Sequence, residues 1–235
     1  MKTLTLKTAL GTLSALLLIA GTTAAQAQVR ITEVAPWSSG NSPVGADWFE
    51  LTNTGSSAVS ISGWKMDDDS ASFSNAAALS GITSIGAGQS VIFIEGSGSA
   101  LVTSFISNWF GGNAPAGLLI GTYTGSGVGL GAGGDQVNIF NASGVLQAAI
   151  KFGASDTAAP FRSFDNSAGL NGTGSTLTTL SAVGSNGAFL TASGNEIGSP
   201  GTIAAAVPEP SSYALLLGGL AAVGLVARRR SGQQG

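Results

Sequence analysis

Short runs of alternating apolar and polar residues recur along the middle of the chain, each closed by a turn rich in Gly, Ser or Asn. Val29-Arg30-Ile31-Thr32-Glu33-Val34 is the first. Trp48 to Thr52 follows a Gly/Pro/Ser loop, Val59-Ser60-Ile61-Ser62 alternates, and Ser90 to Ile94 comes after a Gly86-Ala87-Gly88-Gln89 turn. Gln136 to Phe140 alternates again, and Asn141-Ala142-Ser143-Gly144 turns it into Val145 to Phe152, as in a hairpin. Successive side chains of a strand point to opposite faces, so runs of about five residues with this period predict an antiparallel sandwich or barrel. One stretch has the helical period. Leu101, Phe105 and Trp109 fall on one face of a helix over Ser99 to Phe110, and Gly111-Gly112 supplies its stop. From Ala154 to Gly201 the chain is more loop-like, with short strands expected at Ser163 to Asp165 and Gly187 to Leu190.

The two ends are patterned differently. Lys2 and Lys7 flank the start of a mostly apolar stretch, Ala9 to Gly21, and Ala25-Gln26-Ala27 is a small-x-small cleavage site. This arrangement predicts a secretory signal peptide over residues 1–27, with Ala25 and Ala27 as the processing residues and Gln28 as the first mature residue. At the other end, Val207-Pro208-Glu209-Pro210 leads into an apolar run, Tyr213 to Ala227, and then Arg228-Arg229-Arg230. As a helix the run reaches about 22 Å, short of the roughly 30 Å hydrocarbon core. Spanning needs Ser211 and Ser212 or local thinning, which suits a transient anchor. The Arg cluster would then stay cytoplasmic and residues 28–207 outside. The breaker, apolar segment and Arg stop closely resemble the PEP-CTERM sorting signal of Gram-negative bacteria. The resemblance implies an integral-membrane exosortase that recognises the Pro-Glu-Pro, cuts near it and passes the rest of the protein to the cell surface.

Composition narrows the chemistry. The whole chain carries a net charge of −3, but residues 28–207 hold four basic and eleven acidic side chains, a net of −7. Nucleic acid and acidic membrane faces are disfavoured as partners. The chain has no Cys and no His. Disulfides, thiol catalysis, Ser-His-Asp triads and imidazole zinc sites are therefore excluded. Carboxylate chemistry, Ser/Lys chemistry and oxygen-ligand metals such as calcium remain.

A run of motifs from Ile31 to Gly153 resembles a lamin-tail domain. Ile31-Thr32-Glu33-Val34 is similar to its opening strand. Asp47-Trp48-Phe49-Glu50-Leu51-Thr52-Asn53 is similar to the W-x-E-L-x-N strand, and Val59 to Asp67 to the L-x-G-W-x-L-x-D strand. Ile85 to Ile92 resembles the I-x-P-G-x-x-V turn and strand, with Ala87 in place of Pro. Leu130 to Phe140 resembles L-x-N-x-G-D-x-V-x-L, with Ala132 in place of Asn. The resemblance implies an immunoglobulin-like sandwich used as a structural or binding module, and fold alone assigns no activity.

Four groups of residues can carry chemistry. Asp67-Asp68-Asp69 can hold calcium, although the run lacks the alternating spacing of a calcium loop and follows a strand, where a solvated turn is expected. Glu33 and Glu50 lie on the strands that pair first, and with Asp165 they offer the carboxylate pair a glycoside hydrolase needs. As part of the lamin-tail pattern, Glu50 is expected instead to hydrogen-bond backbone or loop. Trp37 and Trp109 sit in or near loops and can stack on sugar rings, whereas Trp48 and Trp64 occupy core-like strand positions. Gly125 to Gly134 imitates a phosphate loop, but a strand follows it where a helix is required.

Taken together, the sequence predicts an all-β, immunoglobulin-like antiparallel β-sandwich over residues 28–153. A β/loop extension of the same domain and a linker occupy 154–206, and the sorting signal, with a helix over 213–227, occupies 207–235. The expected function is a non-enzymatic surface or matrix protein in an exopolysaccharide or biofilm setting. Its expected partners are the Sec machinery, an exosortase, the inner membrane transiently and exopolysaccharide. No cofactor is expected. The alternatives are a glycan- or calcium-binding surface module and, after it, a carboxylate hydrolase.

Overall fold

The computed structural model describes residues 29–37, 44–202 and Gly219. The signal peptide, with Ala25 and Ala27, lies outside the described residues. So do Val207 to Pro210, Arg228 to Arg230 and the predicted helix over 213–227 apart from Gly219. Among the described residues no helix is long and apolar enough to cross a membrane.

The first strands are β1 (Val29–Ala35), β2 (Trp48–Asn53), β3 (Val59–Ser60), β4 (Lys65–Asp67), β5 (Ala77–Ala78), β6 (Ser84–Ile85) and β7 (Ser90–Glu95). Helix α1 (Ser99–Phe110) leads to β8 (Leu119–Tyr123), β9 (Asp135–Phe140) and β10 (Leu146–Phe152). The remainder supplies β11 (Phe161–Arg162), β12 (Phe164–Asp165), β13 (Gly172–Leu177), β14 (Phe189–Leu190) and β15 (Glu196–Gly198). Two five-stranded sheets form the sandwich. Sheet I has the order β12-β1-β2-β7-β8 and sheet II the order β13-β10-β9-β4-β5. Smaller sheets join β11-β15-β14 and β3-β6.

The alternation seen in the sequence becomes the face-to-face core. Ile31, Phe49, Leu51, Val91 and Phe93 of sheet I meet Met66, Val137, Ile139, Ile150 and Phe152 of sheet II in one buried cluster. Yet all six residues of β2 are buried, so sheet I is covered on its second face too. There Trp48, Ile92 and Ile94 pack against Trp37 and against Phe105 and Trp109 of α1. The molecule is therefore built in three layers: sheet II, sheet I, and an outer layer of α1 with the C-terminal segments.

The sheets are antiparallel except at their margins. β8 joins β7 in parallel, and β13 joins β10 in parallel. Parallel neighbours need a crossover rather than a hairpin, and α1 is that crossover between β7 and β8. The helix occupies the range its periodicity predicts. It ends at Gly111 in the left-handed region (φ 58°), whose N–H returns to Ser107 O at 3.1 Å while Gly112 N returns to Ile106 O at 3.2 Å.

The stretch after Ala154 is more structured than its sequence predicts. β12 adds to the edge of sheet I beside β1, and β13 to the edge of sheet II beside β10. β15, absent from the sequence reading, pairs with both β11 and β14.

Candidate functional site

The outer face of sheet I carries two acids side by side. β1 and β2 run in simple register from Val29↔Asn53 to Ile31↔Leu51, then shift by one residue so that Glu33 faces Glu50. Thr32 is the extra residue of this bulge. It turns Glu33 away from the sandwich core and restores Val34 to the inner face opposite Phe49. Without it, Glu33 would oppose Phe49 and point into the apolar core. Directly opposite residues share a face, so the carboxyls of Glu33 and Glu50 are neighbours, and Asp165 on β12 is the register partner of Glu33 on its other side.

Both glutamates are buried, each 1% exposed, and both grip the last described segment of the chain. Glu33 Oε1 accepts from Ser199 N at 2.8 Å and from Ser163 Oγ, while Glu33 Oε2 accepts from Ser199 Oγ at 3.0 Å. Glu50 Oε2 accepts from Gly201 N at 2.7 Å, and Glu50 Oε1 accepts from Thr32 Oγ1. Ser199-Pro200-Gly201-Thr202 is a turn closed by Thr202 N to Ser199 O at 2.9 Å, with Gly201 at φ 80°. Pro second and Gly third is the residue order a type II turn demands. The turn presents Ser199 N and Gly201 N to the two carboxyls.

Burial dominates the electrostatics. Loss of water pushes Glu33 up to about 7, against the pull of its Ser163 and Ser199 donors, and Asp165 adds to the rise. Glu50 is pushed up to about 8, by burial first and the charge of Glu33 second. A row of hydroxyls continues from Glu50: Thr32 Oγ1 lies 2.8 Å from Thr52 Oγ1, which lies 2.6 Å from Ser90 Oγ. Ser90 lines a cavity of about 180 Å³ together with Gln89, Leu118 and Gly201. With the turn in place both carboxyls are buried and hold a segment of the chain itself.

The other sequence-predicted sites take different forms. Trp37 and Trp109 are not exposed platforms: they are 0% and 2% exposed. Their rings stack on each other at 6.2 Å and 11°, with Trp48 edge-on to both. The packing of α1 on sheet I seals them in, something a position near a loop does not reveal. Asp67, Asp68 and Asp69 do not form one solvated turn. Asp67 ends β4 fully buried, and its Oδ2 accepts from Ser70 Oγ at 2.7 Å and Ser72 N at 2.6 Å, while Asp69 is exposed. Among the described residues no group of three acidic side chains is placed to hold a metal ion. Asp165 accepts from Ser167 N at 2.7 Å and Asn186 Nδ2 at 2.6 Å.

The motif residues that sequence patterning picked out close turns. Asn53 Nδ2 donates to Ser57 O at 2.8 Å and Ile85 O at 3.0 Å, tying β2 to the next hairpin. Asp47 Oδ2 accepts from Leu130 N at 2.7 Å, and Gln89 Oε1 from Gly86 N at 2.8 Å. Residues 22–154, more than half of the chain, match the Lamin Tail Domain family. The chain belongs to the lamin tail domain family. Residues 206–230 match the PEP-CTERM protein-sorting motif, so this lamin tail protein is exported and sorted at the membrane by an exosortase. A comparison with curated proteins returned no match. Three residues of the carboxyl clasp, Ser163, Ser199 and Gly201, lie beyond the lamin tail match. Only the Pro200-Gly201 turn signal could have drawn attention to them in the sequence.

Proposed function

We propose that this protein is a non-enzymatic component of the cell surface or extracellular matrix, exported through the Sec machinery and released to that destination by exosortase processing. In this reading the lamin tail body is the cargo and residues 206–230 are the address. The inner membrane holds the chain transiently, and exopolysaccharide is the medium the mature protein joins. No cofactor is required. One observation carries the reading: a sorting motif begins at residue 206, four positions after the last described residue of a folded body whose one buried acid pair is occupied in holding that body together. The glycan-binding alternative loses its platforms with the burial of Trp37 and Trp109.

Intact-mass measurement on surface and medium fractions of the native cells tests it. The expected species starts at Gln28, ends near Pro208, and is found outside the inner membrane. A species that still carries Tyr213 to Gly235 and stays in the inner membrane would make the protein a tethered periplasmic domain and remove the matrix role.

A further inference from the structure

We propose that Ser199–Thr202 is a proton-gated latch, closed on Glu33 and Glu50 while the pair holds a proton and open when both carboxyls are ionised. The inference concerns the body's own mechanics and stands independently of the matrix role. Its basis is how the turn is held: buried Pro200 and the Leu118 side chain against Gly201 pack it, and its polar anchors to the body are the two carboxyls. β15 ends at Gly198, and up to there the chain is fixed by ladder bonds such as Ser163 N to Ile197 O at 3.0 Å. Beyond Gly198 the turn is fastened by Ser199 N and Oγ on Glu33, by Gly201 N on Glu50, and by its own closing bond. The latch therefore hinges at Gly198, and its release breaks the bonds to the two carboxyls together with the packing of Pro200 and Leu118.

The charges around the pair favour release on deprotonation. β1 brings Glu33, β2 brings Glu50 and β12 brings Asp165, and the charges acting on the two glutamates are acidic; Arg30, also on β1, extends its guanidinium to Gly169 O. β7 contributes the neutral Ser90 and α1 has no ionisable side chain. On β11, Arg162 is committed to Asp156 through two bonds of 2.7 and 2.8 Å, and on β15 Glu196 accepts from Asn108 of α1. A second ionisation thus puts like charges on adjacent register partners inside a dry layer, where the energy falls most easily by admitting water. Water enters by displacing the turn. The hydroxyl row Thr32-Thr52-Ser90 gives the proton a path to the cavity without prior opening, because each hydroxyl both donates and accepts. The upward shifts of both carboxyls to about 7 and about 8 put the transition near neutral pH. Opening frees four residues, Ser199 to Thr202, adding roughly 13 Å of reach between the body and the sorting motif.

Hydrogen exchange on the full chain in detergent micelles, from pH 6 to 9 and corrected for the intrinsic pH dependence of exchange, reads the latch directly. Protection of the Ser199 and Gly201 amides should fall at least tenfold while the Leu51 and Phe93 amides keep theirs. Glu50→Gln prevents the pair from carrying two charges and should hold the Ser199 protection flat to pH 9. Glu33→Gln makes the same prediction should Glu50→Gln fail to fold. A flat wild-type profile overturns the proposal. So does loss of protection in the turn and in β2 together, or a pH-dependent loss in the Gln variant equal to that of wild type.

Discussion

The two faces of sheet I are finished in opposite ways. Toward sheet II the same strands bury apolar groups, Ile31 and Val34 from β1, Phe49 and Leu51 from β2, Val91 and Phe93 from β7, with Asn53 the polar residue at the end of β2. Toward α1 they bury Trp48, Ile92 and Ile94 beside Glu33 and Glu50, which meet Ser163 and Ser199 from the end of the chain. The inner core is non-directional. It asks for volume and apolarity, and it is complete once the two sheets close. The outer layer is directional. Each buried carboxyl needs its donors, and beside the nearer Thr32 the backbone donors come from more than a hundred residues away: Ser199 is 166 positions from Glu33 and Gly201 is 151 from Glu50. The comparison teaches that one strand can belong to a permanent core on one side and to a conditional one on the other.

Substitutions separate the two. Phe93→Ala, in the fully buried inner core, should cost about 3–5 kcal/mol. Chemical denaturation should show one cooperative transition displaced to lower denaturant for every probe. Trp109→Ala removes the ring that meets Trp37, Trp48, Phe105 and Phe189, at a cost near the low end of that scale, about 3 kcal/mol. Here native-state exchange should show α1 and β15 opening before β9 and β10. Simultaneous opening would mean that the layers are one unit and the contrast is false. Gly198→Ala comes next. Its new Cβ would stand 2.5 Å from Glu33 Oε1 and 2.9 Å from both Ser163 Oγ and the Trp109 ring. The expected penalty is about 1–3 kcal/mol, read as a lower midpoint with inner-strand exchange unchanged in order.

The effect of pH is graded rather than abrupt. Both glutamates have folded-state values above the ordinary 4.5, so the folded form binds protons more tightly. The stabilisation is complete below about 4.5 and is lost as pH rises through about 7 and then about 8. The melting temperature should fall between pH 6 and pH 9 by on the order of 10 °C, and by less in Glu50→Gln. An increase with pH would reverse the sign and contradict the buried-pair account. The inner core has no counterpart to this dependence.

How much of this was legible follows from the same contrast. The strands at Val29–Ala35, Trp48–Asn53, Ser90–Glu95 and Asp135–Phe140 and the helix at Ser99–Phe110 stand out because period 2 and period 3.6 are local properties of a chain with one buried face. Trp37 and Trp109 were misplaced because exposure is not local. Each lies beside a loop, and only the seating of α1 on sheet I stacks them. An acidic run predicts a solvated Asp67, yet it ends a strand and its Oδ2 is held by Ser70 and Ser72. The stretch 154–202 reads as irregular because four of its strands are two or three residues long and the six-residue β13, Gly-Thr-Gly-Ser-Thr-Leu, has a single large apolar residue. β12 and β13 gain their order by adding to sheets I and II, and β11, β14 and β15 by pairing with one another.

The sandwich, the helix and the sorting address are written in neighbouring residues, as alternation, helical spacing and the Pro-Glu-Pro, apolar run and Arg stop. Only the tertiary structure decided that sheet I has two buried faces and that a bulge at Thr32 brings Glu33 beside Glu50. It alone decided that the turn at Ser199–Thr202 closes over them. Those outcomes depend on contacts between segments far apart in the chain, and a buried carboxyl acquires its meaning from whichever donors the fold delivers to it.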